Sequence, residues 1–394
     1  MHKFATDFTT LVNDLLNRSG LGAKYLFLNE AGEEQPVFQS YGAENLKKLK
    51  DIRSNIAKHW LKPRLKHLRF EVSHDFEKMV RLLVVIGITG NQGGSVASTF
   101  LQDPAWRIRG LTRDTHSAGS KALSAQGVEM VQADLHDPSS LRDVFKGANL
   151  VFSVTDFWKP LFDPENQARA KEQGKSVGQY AYELELEQGE NIVDAVAREL
   201  DGLDDVGFVA STLCSAKKLS NGKYQELYHF DSKADVFPTY LQDRYPSLAR
   251  KTSCLHTGYF FTSWRFMPGL WFAKPDGSIQ MQFPTHPDTL IPHLDPRKDT
   301  GPHVRALLQL PPSSTLMAAS EWLTWPQWIE LFGDMKGVKT SYKQISVSDM
   351  DAYAPGGVGR EIGEMYEFSS EMGYNASQSD TLMRWDLEKV CLNV

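Results

Sequence analysis

Three regularly spaced glycines behind an apolar stretch constrain this chain more than any other feature of its sequence. Residues 82–88 form a continuous apolar run, which is typical of a central strand buried on both faces of a parallel sheet. Gly87, Gly90 and Gly93 give the spacing G-x-x-G-x-x-G, and a helical stretch over 96–101 follows. Glycines at such a strand-to-helix turn let the backbone turn tightly, approach a pyrophosphate and pack closely on the helix. Free N–H groups and the helix dipole then hold phosphates, so we predict a dinucleotide-binding turn here.

Strand and helix patterns alternate from Arg81 onward. Short apolar runs over 107–112, 128–133, 150–154 and 206–211 are separated by helical patterns, among them one over 141–145 and a long one over 181–200. Such βαβ repetition requires a parallel sheet with helices on both faces. We therefore predict an α/β fold with a doubly wound parallel Rossmann sheet over residues 81–255. Residues 256–394, rich in proline and aromatic residues, are predicted to form a smaller C-terminal α+β substrate region interleaved with the sheet.

The ends of the second and third predicted strands supply further candidate contacts. Arg113 follows the second strand, where an arginine accommodates the 2′-phosphate of NADP and an acidic residue bonds the ribose of NAD. NADP(H) is therefore the favoured cofactor, while Asp114 directly behind Arg113 leaves NAD(H) open. Asp134 and Leu135 follow the third strand, where the adenine is expected, although Asp134 also suits a turn or a helix N-cap. The candidate cofactor-binding residues up to this point are Gly87, Thr89, Gly90, Asn91, Gln92, Gly93, Arg113, Asp134 and Leu135.

Residues 1–80 precede this pattern and form a predicted N-terminal extension that is partly helical and basic. Its segment 47–69 holds nine Lys/Arg and a single acid. Such a run suits an arm that binds nucleic acid or phosphate, but apolar residues at helical spacing between the charges also describe the solvated face of an amphipathic helix. Self-association, or docking on the acidic remainder of the chain, is a further use. We favour the solvated face and do not expect direct nucleic-acid binding.

The composition is that of an ordinary globular protein, and the net charge of −6 gives no general attraction to nucleic acid or to anionic membranes. The three cysteines lie far apart without any Cys/His cluster, so we expect neither a metal site nor a disulfide framework. No apolar run approaches the roughly 20 residues of a membrane span, and the N-terminus lacks the apolar core of a secretory signal. We therefore expect a cytoplasmic protein without a membrane partner, with a nuclear pool left open.

Several segments, taken in order along the chain, resemble the NmrA-like family, an atypical branch of the short-chain dehydrogenase/reductases. The resemblance runs from about Leu82 to Tyr374 and leaves residues 1–80 outside it. The segments that carry it are Gly87–Val96 (GITGNQGGSV), Arg109–Asp114 (RGLTRD), Val151–Trp158 (VFSVTDFW), Glu187–Asn191 (EQGEN), His229–Lys233 (HFDSK) and Met372–Tyr374 (MGY). It implies a Rossmann domain with a smaller substrate domain and a preference for NADP. The family includes reductases of small molecules and also non-catalytic redox sensors that act through protein partners, so the fold alone does not decide the activity.

The catalytic residues that the resemblance implies are only partly present. The wider superfamily uses a serine, together with a tyrosine and a lysine in the spacing Tyr-x-x-x-Lys, whose lysine binds the ribose and lowers the pKa of the tyrosine. Lys233 matches the lysine and Ser211 the serine, but His229 stands four residues before Lys233. Tyr228 is rotated about 100° further round a helix. Because histidine transfers protons near neutral pH, His229 is a candidate replacement for the tyrosine, with a purely structural role as the alternative.

The loops after the fourth and sixth predicted strands border the expected position of the nicotinamide. Thr155 is a candidate cofactor contact there, and Phe157, Trp158 and Tyr259 are candidate substrate contacts, with core packing as the alternative for these aromatic residues. The function we favour is an oxidoreductase that delivers hydride from NADPH to a small aromatic or polyketide-like carbonyl or enone. The alternative is a non-catalytic NADP(H) redox sensor that acts as a regulator through a protein partner.

Overall fold

The glycine-rich turn leads out of a central strand of a parallel sheet. The computed structural model describes residues 80–265, 271–354, 357–375 and 377–389. In these ranges eight strands form one sheet in the order β3-β2-β1-β4-β5-β6-β11-β14, and every neighbouring pair is parallel. Their bounds are β1 Arg81–Ile86, β2 Trp106–Thr112, β3 Glu129–Gln132, β4 Leu150–Ser153, β5 Phe208–Thr212, β6 Thr252–Thr257, β11 Thr315–Ala318 and β14 Thr381–Leu382. The strand order reverses between β1 and β4, and the crevice that such a reversal leaves at the carboxyl ends is where ligands of open α/β sheets bind.

Helices cover both faces of this sheet. In chain order they are α1 Asn91–Phe100, α2 Ala118–Ala125, α3 Trp158–Phe162, α4 Pro164–Glu172, α5 Val177–Val196, α6 Ala216–Leu219, α7 Tyr228–Ala234, α8 Leu241–Arg244, α9 Pro246–Ala249, α10 Thr300–Leu307, α11 Trp325–Lys336, α12 Val347–Tyr353, α13 Val358–Met372 and α14 Arg384–Lys389. Apolar residues of α1 and α10 join one core cluster, and those of α5, α8 and α9 join the other. β1 contributes alternate side chains to both clusters, as its continuous apolar sequence predicts. The predicted doubly wound α/β fold is confirmed.

The described residues of the C-terminal part of the chain also form two small sheets. The first has the order β12-β10-β7 and the second the order β13-β9-β8. Their strands are β7 Tyr259–Phe260, β8 Trp271–Ala273, β9 Ile279–Phe283, β10 Ile291–Leu294, β12 Glu321–Leu323 and β13 Thr340–Gln344. A third core cluster, rich in aromatic residues, joins these sheets to α11 and α13 and includes the fully buried Trp325, Tyr366 and Phe368. The division of the chain near residue 255 stays a prediction, since β11 and β14 of the main sheet come from the same part of the sequence.

The helical pattern predicted over 141–145 is wrong. The N–H groups of Leu141 and Arg142 bond the carbonyls of Pro138 and Ser139, at 3.3 and 3.4 Å. These bonds reach three residues back and form successive turns, whereas an α-helix requires bonds to the fourth residue back. Leu141, like its apolar neighbours at 144 and 145, is buried in the core all the same. The spacing of the apolar residues at 141, 144 and 145 therefore predicts their burial correctly, but it predicts the wrong backbone conformation.

The N-terminal extension predicted over residues 1–80, including its basic segment, lies outside the described residues except for Val80. Within the ranges that the structure describes, no helix combines the length and apolar character that a membrane span needs.

Candidate cofactor and catalytic site

The turn between β1 and α1 is a cradle of backbone that side chains would fill. Gly87 has a φ of +66°, in the left-handed region that favours glycine. A Cβ on Gly93 would lie 2.4 Å from the carbonyl oxygen of Gly87, so the third glycine lets α1 pack directly on the turn. Gly90 precedes α1 and has no side chain to cap it, which leaves N–H groups of the first helical turn open to a ligand. A pyrophosphate fits a cradle of this shape and polarity.

Side chains of this turn are tied to distant parts of the chain. The Oε1 atom of Gln92 accepts a hydrogen bond from the hydroxyl of Ser211 at 2.8 Å. The Oδ1 atom of Asn91 accepts one from the Nε–H of Arg297 at 2.7 Å. Thr89 is exposed beside them. The candidate catalytic Ser211 is therefore joined to the dinucleotide turn and has no hydrogen bond to His229 or Lys233 among the described residues.

Arg113 is available to a ligand, whereas its acidic neighbour is engaged. Arg113 is exposed at the end of β2 and has no hydrogen bond or ion pair within the described ranges. The Oδ1 atom of Asp114 accepts the backbone N–H of His116 at 2.8 Å, which forms a tight local turn. This geometry presents the Arg113 cation beyond β2, while one oxygen of the neighbouring, exposed Asp114 shapes the turn.

Asp134 and Leu135 follow β3 in a turn. The Oδ1 atom of Asp134 accepts the N–H of His136 at 3.0 Å, so its carboxylate shapes the turn. The carbonyl of Leu135 accepts a hydrogen bond from Asn191 Nδ2 on α5 at 2.9 Å. Both residues stand at the carboxyl edge of the sheet, next to the end of β2.

A buried carboxylate on α5, which our sequence analysis missed, holds the candidate Lys233. Glu185 is only 1% exposed and accepts hydrogen bonds from the hydroxyls of Thr155, at 2.7 Å, and Ser232. It also forms an ion pair with the ammonium group of Lys233. Thr155 follows β4, while Ser232 and Lys233 lie on α7, so one carboxylate joins the end of a central strand to α7. The Lys233 side chain is 13% exposed, which means that its charge is compensated mainly by Glu185.

His229 lies one turn before Lys233 and pairs with a second buried acid. Its Nδ1 atom is hydrogen bonded to the Glu361 carboxyl group on α13. That carboxyl group also accepts the backbone N–H groups of Tyr228, at 2.9 Å, and of His229, at 3.1 Å. No hydrogen bond to the Nε2 atom of His229 occurs among the described residues. We refer to Thr155, Glu185, His229, Ser232, Lys233 and Glu361 together as the α7 cluster.

Burial sets the protonation of the His229–Glu361 pair. Burial, followed by the charge of Lys233, lowers the pKa of His229 to about 3. Burial raises the pKa of Glu361 to about 8, although the two N–H groups that it accepts act in the opposite direction. At neutral pH the pair thus carries no net charge and holds a proton between Nδ1 and the carboxyl group.

Aromatic side chains surround His229. The ring centroid of Trp158 lies 4.8 Å from that of His229, and the centroid of Phe157 lies 5.8 Å from it. Phe157 is buried, whereas Trp158 is half-buried and stacks on the exposed Phe162 at 6.4 Å. Tyr259 lies elsewhere, in the aromatic core cluster, and its hydroxyl is 3.0 Å from that of Tyr366. Of the three candidate substrate residues, the structure therefore brings Phe157 and Trp158 to His229 and leaves Tyr259 in the core.

A signal for the two missed acids was present in the sequence. Glu185 falls within the buried stripe of α5, and Glu361 falls within that of α13. The members of the first stripe include Gly178, Ala181, Gly189, Ile192 and Val196. A carboxylate in the middle of such a stripe is almost never fully buried unless it is paired. An acid at a buried helical position therefore indicates a partner, here a lysine and a histidine.

A comparison with models of protein families assigns the chain to one family. The model of the NmrA-like family matches residues 79–391. The chain belongs to the NmrA-like family. An NmrA-like family domain-containing oxidoreductase of Penicillium ochrochloron, ptmS, is 25% identical over 311 residues, which cover 74% of this chain and 84% of that protein. The NmrA-like oxidoreductase cpsB of Aspergillus campestris is 26% identical over 288 residues, which cover 68% of this chain and 77% of that protein.

Solved structures share the NmrA-like fold at low sequence identity. The negative transcriptional regulator Nmra, in complex with NADP, aligns with a TM-score of 0.54 at 17% identity, over 73% of this chain and 82% of that one. The NADPH-dependent quinone oxidoreductase QOR2 of Escherichia coli, complexed with NADPH, aligns with a TM-score of 0.50 at 17% identity, over 74% and 90% of the two chains. At this identity the likeness establishes the fold alone.

Proposed function

We propose that this NmrA-like protein is an NAD(P)H-dependent oxidoreductase that reduces a carbonyl or a conjugated double bond of a small aromatic or polyketide-like molecule. The observation that carries the proposal is the Lys233–Glu185 ion pair, which holds a cation beside His229 at the carboxyl end of β4. Relatives that align over most of their length are named oxidoreductases, which supports an enzymatic function.

The cofactor we propose is NADP(H), with NAD(H) as the weaker ligand. The cradle of Gly87, Gly90 and Gly93 would hold the pyrophosphate through backbone N–H groups. Arg113 supports NADP(H), because its guanidinium group has no partner among the described residues and is exposed at the end of β2. When bound, the reduced nicotinamide would supply the hydride.

In this proposal Lys233 binds the ribose next to the nicotinamide and stabilises negative charge on the substrate oxygen. Glu185, which also accepts the hydroxyl of Thr155, keeps the ammonium group in one position, so little reorganisation accompanies the reaction. The hydroxyl of Ser211 is donated to Gln92, so we assign it the role of fixing the dinucleotide turn.

His229 would provide the proton for the reduced oxygen. Since burial raises the pKa of Glu361 to about 8, that acid keeps its proton at neutral pH and donates it to Nδ1. The proton of a neutral His229 is then on Nε2, the atom without a partner among the described residues. As Nε2 gives this proton to the reduced oxygen, Glu361 passes its own proton to Nδ1, which leaves a neutral imidazole and a carboxylate. Trp158 beside His229, stacked on the exposed Phe162, would pack against a flat aromatic substrate.

Transfer of deuterium from NADPH labelled at the nicotinamide C4 tests this proposal. The protein is incubated with a panel of aromatic enones and quinones, and mass spectrometry follows the label into the product. We expect labelled product from the wild type, a loss of more than about 100-fold in Lys233→Met, and no change in Lys121→Met, which removes an exposed lysine of α2. Wild-type transfer rates in Lys233→Met would contradict the proposal.

A second function, an NADP(H) redox sensor that acts through a protein partner, is favoured by two observations. His229 stands where the wider superfamily has its tyrosine, and the fold is shared with Nmra, which is described as a negative transcriptional regulator. A sensor would bind NADP⁺ and NADPH with unequal affinity and would transfer no label to any substrate of the panel. Equal affinities together with label transfer would exclude it.

A further inference from the structure

The loop between β10 and α10 carries an arginine to the first residue of the dinucleotide turn's helix. Arg297 donates its Nε–H to the Oδ1 atom of Asn91, at 2.7 Å, and Asn91 is the first residue of α1. The two residues are 206 positions apart in sequence. Neither terminal nitrogen of the Arg297 guanidinium has a hydrogen bond or an ion pair in the part of the chain that the structure describes.

The start of α10, directly after this loop, packs closely against α1. The N–H of Gly301 donates to the hydroxyl of Ser95 at 3.0 Å, and a Cβ on Gly301 would lie 2.4 Å from the carbonyl oxygen of Ser95. Only glycine at this position allows α10 to approach α1 so closely. Arg297 is therefore positioned by the packing of two helices as well as by its own contact with Asn91.

Acidic side chains of the same loop are occupied by the loop itself. The Oδ1 atom of Asp295 accepts the backbone N–H of Arg297 at 3.0 Å. The Oδ2 atom of Asp299 accepts the N–H of Asp295, at 3.0 Å, and the hydroxyl of Ser320. The Arg297 guanidinium thus remains exposed, and its Nε–H fixes it at the N-terminus of α1. This is the positive end of the helix dipole, where a second positive charge is unfavourable unless an anion is bound.

We infer that Arg297 is a ligand of the dinucleotide pyrophosphate, oriented by Asn91. The inference rests on the proposed function, because it assumes a dinucleotide in the turn, and it adds a contact from outside the glycine motif. A guanidinium group held by its Nε–H still presents two parallel N–H donors, the geometry that phosphate oxygens accept. The C-terminal part of the chain then completes the phosphate site of the glycine turn.

Calorimetric titration of the full-length chain with NADP⁺ and with NAD⁺ tests this inference. Both dinucleotides contain the pyrophosphate, so Arg297→Gln should weaken both by the same factor, about tenfold for one charge-assisted contact. Arg113→Ala should instead weaken NADP⁺ far more than NAD⁺. Arg297→Lys, which keeps the charge without the forked geometry, should give an intermediate affinity. Arg107→Gln, an exposed arginine at the amino end of β2, controls for the change in net charge and should bind as the wild type does.

Two results would overturn the inference while leaving the proposed function intact. One is an Arg297→Gln variant that binds both dinucleotides as tightly as the wild type, and the other is a loss confined to NADP⁺, which would assign Arg297 to the 2′-phosphate. A wild-type protein that binds neither dinucleotide would overturn the proposed function and this inference together.

Discussion

The dinucleotide turn and the α7 cluster adjoin the same edge of the sheet, but they are built on opposite principles. The turn consists of neighbouring residues, and its shape depends on side chains that are absent at Gly87 and Gly93. The cluster joins residues from four separate segments, and its stability depends on the buried charges of Lys233 and Glu185, which compensate each other. We therefore expect the turn to lose dinucleotide affinity when a side chain is added to one of its glycines. We expect the cluster to lose stability when one of its two charges is removed.

The largest effect is expected for Gly93→Ala. Its new Cβ would meet the carbonyl oxygen of Gly87 at 2.4 Å and the Cα atom of Ile88 at 2.9 Å, and neither backbone atom can move without opening the turn. We expect dinucleotide affinity to fall at least about 100-fold and the free energy of unfolding to fall by about 3 kcal/mol. Calorimetry and urea unfolding measure the two quantities.

Gly94→Ala is the matched control, because its Cβ would lie 3.4 Å from the carbonyl oxygen of Ile88, close to ordinary contact. Alanine is favoured over glycine inside a helix by up to about 1 kcal/mol, so this variant should be as stable as the wild type or more so. Similar losses of dinucleotide affinity and stability in Gly93→Ala and Gly94→Ala would show that the close packing of Gly93 on the Gly87 carbonyl is not what the turn requires.

Removing one charge of the α7 cluster should have the next largest effect. Glu185→Gln leaves the ammonium of Lys233 with little solvent and no counter-charge, which costs about 3 kcal/mol of unfolding free energy. The double variant Glu185→Gln/Lys233→Met should recover much of this loss, since no unpaired charge is left. Chemical unfolding of the wild type, of both single variants Glu185→Gln and Lys233→Met, and of the double variant gives the coupling energy.

Glu183, which lies on α5 as Glu185 does, forms a control ion pair with Lys175 near the surface. Glu183 and Lys175 are 2.5 Å apart, with side chains 39% and 30% exposed. Glu183→Gln should cost less than about 1 kcal/mol, because solvent screens the pair. An equal cost for Glu183→Gln and Glu185→Gln would mean that burial of the Lys233–Glu185 pair is energetically unimportant.

Stability should fall as the pH rises from 6.5 to 8, and Glu361 is the expected cause. With its pKa raised by burial from 4.5 to about 8, folded Glu361 keeps a proton that the unfolded chain has released in this range. When the folded state binds a proton that the unfolded state does not, the free energy of unfolding falls as the pH rises, by at most about 1.4 kcal/mol per pH unit. The lowered pKa of His229 acts in the opposite direction, but only between about pH 3 and 6.5.

Glu361→Gln should therefore show a flatter pH profile than the wild type between pH 6.5 and 8, as followed by urea unfolding at several pH values. Glu330→Gln, which changes an exposed carboxylate on α11, should keep the wild-type slope. If the Glu361→Gln slope is unchanged as well, Glu361 is ionised in the folded protein at neutral pH.

The smallest effect is expected at Ser211, which is hydrogen bonded to Gln92 of the dinucleotide turn. Ser211→Ala removes the hydrogen bond to Gln92 and should cost about 1 kcal/mol of stability. Dinucleotide affinity should fall only a few-fold, since the backbone of the turn is unchanged. A complete loss of hydride transfer with normal dinucleotide binding would instead return Ser211 to the catalytic role that its sequence position predicts.

The two regions also differ in how far the sequence predicts them. Gly87, Gly90 and Gly93 signal the turn because its geometry is local, and β1 is predicted because burial on both faces requires an unbroken apolar run. The partners of His229 and Lys233 were not predicted, since Glu361 and Glu185 are 132 and 48 residues away and only packing of α13 and α5 on α7 brings them close. The turns at 141–145 were mistaken for a helix because buried side chains recur at helical spacing there.

The central claim is that the turn and the α7 cluster hold two ends of one dinucleotide. Titration of the wild type and of Glu185→Gln/Lys233→Met with NADP⁺ and with adenosine 2′,5′-bisphosphate, which lacks the nicotinamide half, tests this claim directly. The account predicts that the double variant binds NADP⁺ about tenfold more weakly and binds the adenosine bisphosphate as the wild type does. Unchanged affinity for NADP⁺, or an equal loss for both ligands, would contradict it.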